Sequence, residues 1–439
     1  MKKFLMFAAM AALCLSFSGC TFFETDTEAL MRPPVFTKEQ EKLNAALTEV
    51  IGESYVLKYP KTGDINSAFV FKDLDSDGTE EAMAFYSLSD ESTRINVLKK
   101  EGENWVSVYE AAGFYGEIER VEFAKMDEKG DAIVISWEQE AGIYRYGSER
   151  LETLYKAACE GTDIADINGD GYDDIIVLSG NPVGRTNVNI AYSDGTELHI
   201  TETISINAGY ENIYSGYAGK LSEEKNFYFI DSEIYDGVYL TEMVGLEEGK
   251  AKRYFTADFV EYEEEEREEE SSGVIVVIGG DYGKRGIFLR NTKALCMDIN
   301  GDGFIDLPVE YREDYAQEAS EKIFFLQYMS CAGTETKPVW NGIANTEGGY
   351  LFAVPESWNE KISAAFGNSA DELIFTDVST GETILEICSV LKSDYQDKYE
   401  DYIFAAEDET KNYYVKILAG PESEFGASPE DFKNSFIFR

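Results

Sequence analysis

The sequence predicts a mainly β chain: a seven-bladed β-propeller over residues 53–345, with six blades as the alternative, then a small α+β domain over 346–439. Three observations predict it. Short apolar runs alternate with turns rich in Gly, Asp, Asn and Ser. The runs cover Ala82–Tyr86, Ala132–Ser136, Ile175–Leu178, Phe227–Ile230, Val274–Ile278 and Leu307–Val309, spaced irregularly at about 45 residues, the length of one four-stranded blade. An Asp-rich loop recurs three times, each copy just before one of these runs.

Composition narrows the function classes. The 439 residues carry 38 Lys+Arg against 84 Asp+Glu, a formal charge of −46. A chain so acidic is repelled by nucleic acid and by anionic headgroups, so no nucleic-acid role is expected. Hydrophobic residues at 44% supply enough apolar surface for a packed core, which excludes a wholly disordered acidic chain. The one histidine, His199, argues against a histidine-based catalytic triad or a multi-histidine metal site. It sits in an alternating run, Thr196–Ile200, where a structural role is expected.

The N-terminus reads as an address. Lys2 and Lys3 precede an apolar stretch, Phe4–Phe17, too short to span a bilayer comfortably. Ser18-Gly19-Cys20 follows. This pattern resembles a bacterial lipoprotein signal, with Phe17 where that family usually has Leu. The resemblance implies that residues 1–19 are removed and that Cys20 is lipidated. The chain would then be anchored to the bacterial cell membrane, facing outside.

Residues 20–52 hold that cysteine, an extended tether through Arg32-Pro33-Pro34 and a short helix. Thr37 and Gln40 form a capping-box pattern, Leu43, Leu47 and Ile51 share one face, and Gly52 ends the helix. Cys159, Cys296, Cys331 and Cys388 show no CxxC spacing, which leaves zinc ribbons unsupported. Cys296 and Cys331 are a candidate disulfide; burial as small hydrophobes is the alternative. Glu261–Glu270 reads as a solvated acidic loop. From 346 onward, strands are expected near 350–354, 372–376, 383–387, 402–405 and 413–418. A last helix is expected at Ser428-Pro429. Tyr350–Trp358 is weakly similar to the opening of PsbP-like α/β domains.

The three loops carry the chemistry. The first is Asp73, Asp75, Asp77, Gly78, Thr79 and Glu81. The second is Asp166, Asn168, Asp170, Gly171, Tyr172 and Asp174. The third is Asp298, Asn300, Asp302, Gly303, Phe304 and Asp306. Oxygen-bearing side chains occupy positions 1, 3, 5 and 9, with glycine at position 6, where a sharp turn favours positive φ. The carbonyl of position 7 (Thr79, Tyr172 or Phe304) adds an oxygen. Such all-oxygen sets suit Ca2+, which takes six to eight oxygens at about 2.3–2.6 Å, and disfavour zinc and copper. An EF-hand is excluded, because position 12 is Ala84, Val177 or Val309 and not Glu.

A ligand loop that enters a strand resembles the FG-GAP or VCBS repeats of integrin-like β-propellers. The resemblance implies up to three Ca2+ sites. The spacing of the loops places them on blades k, k+2 and k+5. Just before the second strand run, Ala132–Ser136, the degenerate copy Met126–Asp131 lacks the pattern and is assigned no metal.

No spacing singles out a catalytic pair, so no catalytic residue is assigned and the chain is read as a non-enzyme. The expected function is a surface-tethered, calcium-stiffened propeller presenting a face to an extracellular protein or glycan. An extracellular carbohydrate- or peptide-processing enzyme with acidic catalytic residues is the alternative.

Overall fold

The structure is a computed structural model that describes residues 36–438 except 90–91, 129, 236, 255, 264–271, 280–288, 311–321, 333–335, 395–400 and 433. The signal, Cys20 and most of the tether lie outside the described residues. So do most of the acidic run and the side chains of 255–289.

The chain is mainly β. Among the described residues, six antiparallel sheets of four or five strands follow one another, with a two-stranded hairpin, Thr256–Glu263 with Ser272–Gly279, after the fourth. The first sheet contains Phe69–Lys72, Glu81–Ser87, Ser92–Glu101 and Asn104–Tyr115, paired in chain order. The second contains Ile118–Ala124, Ala132–Trp137, Glu140–Gly147 and Arg150–Ala158. The third runs from Gly161–Ala165 to Leu198–Ile200, and the fourth from Ile213–Ser222 to Lys250–Tyr254. Each of these is an up-and-down meander, the arrangement of a propeller blade.

Packing explains the patterning. Every residue of Glu81–Ser87 and of Ala132–Trp137 is buried, so both faces of those sheets are covered. Side chains alternate across a strand, and each face meets a different neighbour. Met83 and Phe85 pack with Ile133 and Ile135 of the second sheet. Ala132 and Val134 pack with Ile175 and Val177 of the third. Ile176 and Leu178 pack with Tyr228 and Ile230 of the fourth, and Phe227 and Phe229 with Leu307 of the fifth. The sheets thus stack face to face in chain order.

The opposite face of the first sheet, Ala82, Ala84 and Tyr86, is covered by helix α1 (Lys38–Ile51) through Leu43 and Leu47. The helix forms as its sequence predicts. Thr37 Oγ1 accepts the Gln40 amide at 3.2 Å, and Gln40 Oε1 accepts the Thr37 amide at 3.0 Å. Gly52 ends it at φ +83°. Glu39 pins the helix to the outer strands, accepting from Trp105 Nε1 and Lys100 Nζ at 2.9 Å each.

The C-terminal region departs from the expected α+β unit. The expected strands are present: Tyr350–Ala353, Glu372–Asp377, Thr383–Leu391, Ile403–Glu407 and Lys411–Ile417. Among the described residues of 346–439 there is no α-helix. The expected last helix is a single 3-10 turn, Pro429–Phe432. Phe432 is its one fully buried apolar anchor, too little periodic surface to hold a longer helix. Phe436–Phe438 then pairs with Tyr350–Ala353, inside the sheet that begins at Asp306–Glu310. One core runs from Ile323 and Phe325 through Trp358 to Phe432, so packing is continuous across residue 345. In the sixth sheet Glu372–Asp377 alternates half-buried and buried, the pattern of a sheet with one covered face.

The helix contact predicts a stability cost. Leu47→Ala should lower stability by about 2–5 kcal/mol and Thr37→Ala by about 1 kcal/mol. Urea denaturation followed by tryptophan fluorescence reads both.

Candidate metal centres

The three loops share one hydrogen-bonded frame. In the second, Asp166 Oδ1 accepts the amides of Gly169 and Asp170 at 2.6 and 3.2 Å, and Oδ2 accepts Gly171 at 3.0 Å. In the third, Asp298 Oδ1 accepts Gly301 and Asp302 at 2.7 and 3.0 Å, and Oδ2 accepts Gly303 at 2.8 Å. In the first, Asp73 accepts Asp77 and Gly78 at 3.1 and 2.9 Å. The acid at position 5 accepts the amide at position 7: Asp77 from Thr79 at 2.8 Å, Asp170 from Tyr172 at 2.9 Å and Asp302 from Phe304 at 3.0 Å. Asn168 and Asn300 each donate through Nδ2 to Asp170 and Asp302 at 3.0 Å.

The glycine at position 6 is required by conformation. Gly78, Gly171 and Gly303 have φ of +87°, +87° and +89°, a region costly for other residues.

The acid at position 9 begins the strand and is buried. Glu81 is 0%, Asp174 2% and Asp306 0% exposed. One oxygen of each accepts the amide of position 2: Leu74 at 3.0 Å, Ile167 at 3.1 Å and Ile299 at 3.4 Å. Among the described residues, the other oxygen of Glu81 and of Asp306, and Oδ1 of Asp75, have no hydrogen-bond partner. Burial pushes the Asp174 carboxyl up to about 7, with Asp170 and Asp166 adding repulsion. Burial, reinforced by Asp302, does the same to Asp306, also up to about 7. Glu81 is raised as well, first by burial and then by Asp75 and Asp77. A buried carboxylate with a free oxygen is a cost that a cation relieves.

The donor set fits Ca2+ best at the first loop. Oxygens of Asp73, Asp75 and Glu81 all lie within 4.8 Å of one another. Two ligands across an ion at about 2.3–2.6 Å lie about 5 Å apart at most. Among the described residues this is the one group of three acidic side chains so gathered. In the second and third loops asparagine replaces the acid at position 3, so fewer carboxylates converge.

The degenerate copy behaves differently. Asp127 is buried but meets a protein cation, Arg145 Nη2 at 2.9 Å, and Asp131 pairs with Lys72 at 2.7 Å. Side-chain cations meet both acids there; in the first patterned loop Lys99 Nζ also lies 3.5 Å from Asp77 Oδ2, while the buried oxygens of Asp75 and Glu81 have no partner among the described residues. The loops themselves enter the first, third and fifth sheets, not blades k, k+2 and k+5. Between the second and third loops lie one long-stranded sheet and the two-stranded hairpin, which together use up the residues of two further blades.

The other candidates resolve simply. His199 Nε2 lies 2.9 Å from Asp194 Oδ2, and its ring stacks on Tyr192 at 5.3 Å, a local structural contact. All four described cysteines are free and buried, so Cys296 and Cys331 are thiols here. Cys296 Sγ donates to Asp231 Oδ2 at 3.1 Å. The apolar residues at position 2 of each loop escaped sequence reasoning, although Leu74, Ile167 and Ile299 repeat in register.

No family model matches the chain, and no curated protein matches it. Among solved structures it is similar to an exo-β-1,3-galactanase from Clostridium thermocellum, at 7% identity and TM-score 0.25 over 80% of each chain. It is also similar to Sqt1 from Saccharomyces cerevisiae, at 7% identity and TM-score 0.28 over 80% of this chain and 98% of that one. A third is the WD40 domain of coronin from Toxoplasma gondii, at 10% identity and TM-score 0.27 over 88% of this chain and 86% of that one. These neighbours are β-propeller-like. Scores this low carry no argument about the present chain.

The loop geometry predicts a strain cost without a clash. A Cβ at Gly171 or Gly303 would meet no atom within 4 Å, so Gly171→Ala and Gly303→Ala should each cost about 1–2 kcal/mol through backbone conformation alone. Gly147→Ala, also in open space but without positive φ, should stay within about 0.5 kcal/mol of the parent. Chemical denaturation of the three variants makes the comparison.

Proposed function

We propose that this chain is an exported lipoprotein anchored through Cys20, whose propeller-like row of sheets binds Ca2+ in the FG-GAP/VCBS manner and presents a surface to an extracellular ligand. The observation that carries the metal reading is the repeated frame around a buried strand-entry acid. In two of the three copies one oxygen of that acid lacks a partner. Asp73, Asp75, Asp77 and Glu81 would hold one ion, with the Thr79 carbonyl. Asp166, Asn168, Asp170 and Asp174 with the Tyr172 carbonyl, and Asp298, Asn300, Asp302 and Asp306 with the Phe304 carbonyl, would hold two more. The ion's role here is structural: it neutralises the buried acid and ties the loop to the first residue of the strand. The chain acts as a binder, without a catalytic step.

Two experiments test this. A ligand that binds only the native state raises its melting temperature, so millimolar Ca2+ should raise Tm over chelator, with a smaller rise in equal Mg2+. Asp174→Asn and Asp306→Asn should act with opposite signs in the two conditions. In chelator each removes a buried charge and raises Tm; in Ca2+ each removes a ligand and lowers it. A Tm indifferent to Ca2+ defeats the metal reading. For the anchor, Cys20→Ser should move the protein from the membrane fraction to the soluble fraction of the expressing bacterium. Unchanged fractionation defeats that part alone.

A further inference from the structure

Consecutive antiparallel strands put their connections alternately at two ends of the sheets. The metal loops and the turns at 148–149 and 194–197 lie at one end. The turns at 138–139, 158–160 and 180–185, with 208–212, lie at the other. At that second end, between the second and third sheets, is a cleft of about 830 Å3. A depression of about 390 Å3 adjoins it and shares Glu138, Cys159, Glu160 and Tyr210.

Three groups in the cleft are positioned by the fold yet left open. Tyr210 lies over Gly161, where a Cβ would meet its hydroxyl at 2.4 Å; the missing side chain seats the ring, and the residue is 38% exposed. Glu160 lies against Gly180, where a Cβ would meet Oε1 at 2.6 Å. Arg185 ends a turn set by Asn181, whose Oδ1 accepts the amides of Val183 and Arg185 at 3.1 and 3.0 Å. Glu160 and Arg185 make no ion pair or side-chain hydrogen bond among the described residues, with each other or with any other group. Glu211 and Glu119 also line the cleft and the depression, and two other charges there have partners. Arg120 bonds Thr162 O and Glu122, and Glu138 meets Lys61 at 3.2 Å. Further exposed tyrosines, Tyr115 at 72% and Tyr214 at 40%, lie at strand ends on this same side.

We propose that this cleft binds a neutral oligosaccharide. The proposal rests on reading the chain as a propeller-like binder and names the ligand class of its exposed face. An aromatic ring with one free face packs on the C–H face of a pyranose. A carboxylate accepts from neighbouring hydroxyls, and a guanidinium fork donates to ring and hydroxyl oxygens. The volume stands at the upper end of the range for small-molecule sites, about 300–1,000 Å3, which suits several sugar rings better than a single amino acid. A peptide added as a strand needs a free sheet edge, whereas turns wall this cleft. The net charge of −46 opposes polyanionic glycans.

The test is calorimetric titration of the full chain with cellohexaose, laminarihexaose, xylohexaose and chitohexaose, and with a mixed-sequence hexapeptide as the competing class. At least one hexasaccharide should bind in the micromolar to millimolar range. Tyr210→Ala, Glu160→Gln and Arg185→Ala should each weaken it tenfold or more, and Tyr210→Phe, which keeps the ring, should restore most of the affinity. Equal thermal melts of variant and parent show that folding is intact. Binding of the peptide but no glycan overturns the proposal, as does glycan binding that survives both Tyr210→Ala and Arg185→Ala, or no binding of any hexasaccharide. Titrations in Ca2+ and in chelator separate the two readings. A Ca2+-dependent melt without glycan binding sinks this inference alone; glycan binding without a Ca2+ effect sinks only the metal reading.

Discussion

The fold depends on one constraint: its inner sheets are apolar on both faces. A strand such as Ala132–Trp137, buried throughout, cannot border water on either side, so its sheet must be sandwiched. Chain order then fixes the neighbours. Ile133 and Ile135 meet the sheet before and Ala132 and Val134 the sheet after, and the same division repeats at 175–178 and 227–230. A register slip of one residue would exchange the two faces and misplace both neighbours at once. The short turns between strands leave little freedom to do otherwise.

The three Asp-rich loops are best understood against that constraint. Each delivers the chain into a strand of its sheet, and each places a buried acid at the entry. The acid accepts the amide of position 2, which closes the loop into a ring of hydrogen bonds. The same acid is held in a region where charge is costly, which raises its pKa. The second sheet solves the equivalent problem with Arg145 on Asp127, and the fourth sheet buries Asp231 against Arg290 at 2.7 Å. In both of these sheets a buried acid is met by an arginine.

Features encoded within a few consecutive residues were legible in the sequence. The capping box at Thr37 and Gln40 and the nine-residue loops needed no tertiary information. The strands at 81–87, 132–137 and 174–180 announced themselves by unbroken apolar runs. Ser428-Pro429 misled because a cap and a proline mark where a helix can start, and only the buried surface beyond decides how long it runs. Phe432 alone supplied that surface. The blade arithmetic failed between the second and third loops because the 10- and 11-residue strands Val238–Glu247 and Lys225–Tyr235 and an added hairpin consume length without adding full sheets. The cleft was illegible for a different reason. Tyr210, Glu160 and Arg185 come from three separate connections, and their common feature is the glycine or asparagine that seats each one.

Helix α1 has a consequence for how copies of this protein meet one another. A row of flat, two-faced sheets has no intrinsic stopping point, because an uncovered terminal face invites another sheet, from the same chain or from a second molecule. Repeat arrays solve this with terminal units whose outer side is polar. Here the first sheet is closed off by an amphipathic helix whose buried side carries Leu43 and Leu47 and whose outer side carries Glu41, Glu49 and Lys38. The sixth sheet turns a half-polar face outward. The stack is therefore terminated at both ends by its own sequence, with a helix at one end and a half-polar sheet face at the other.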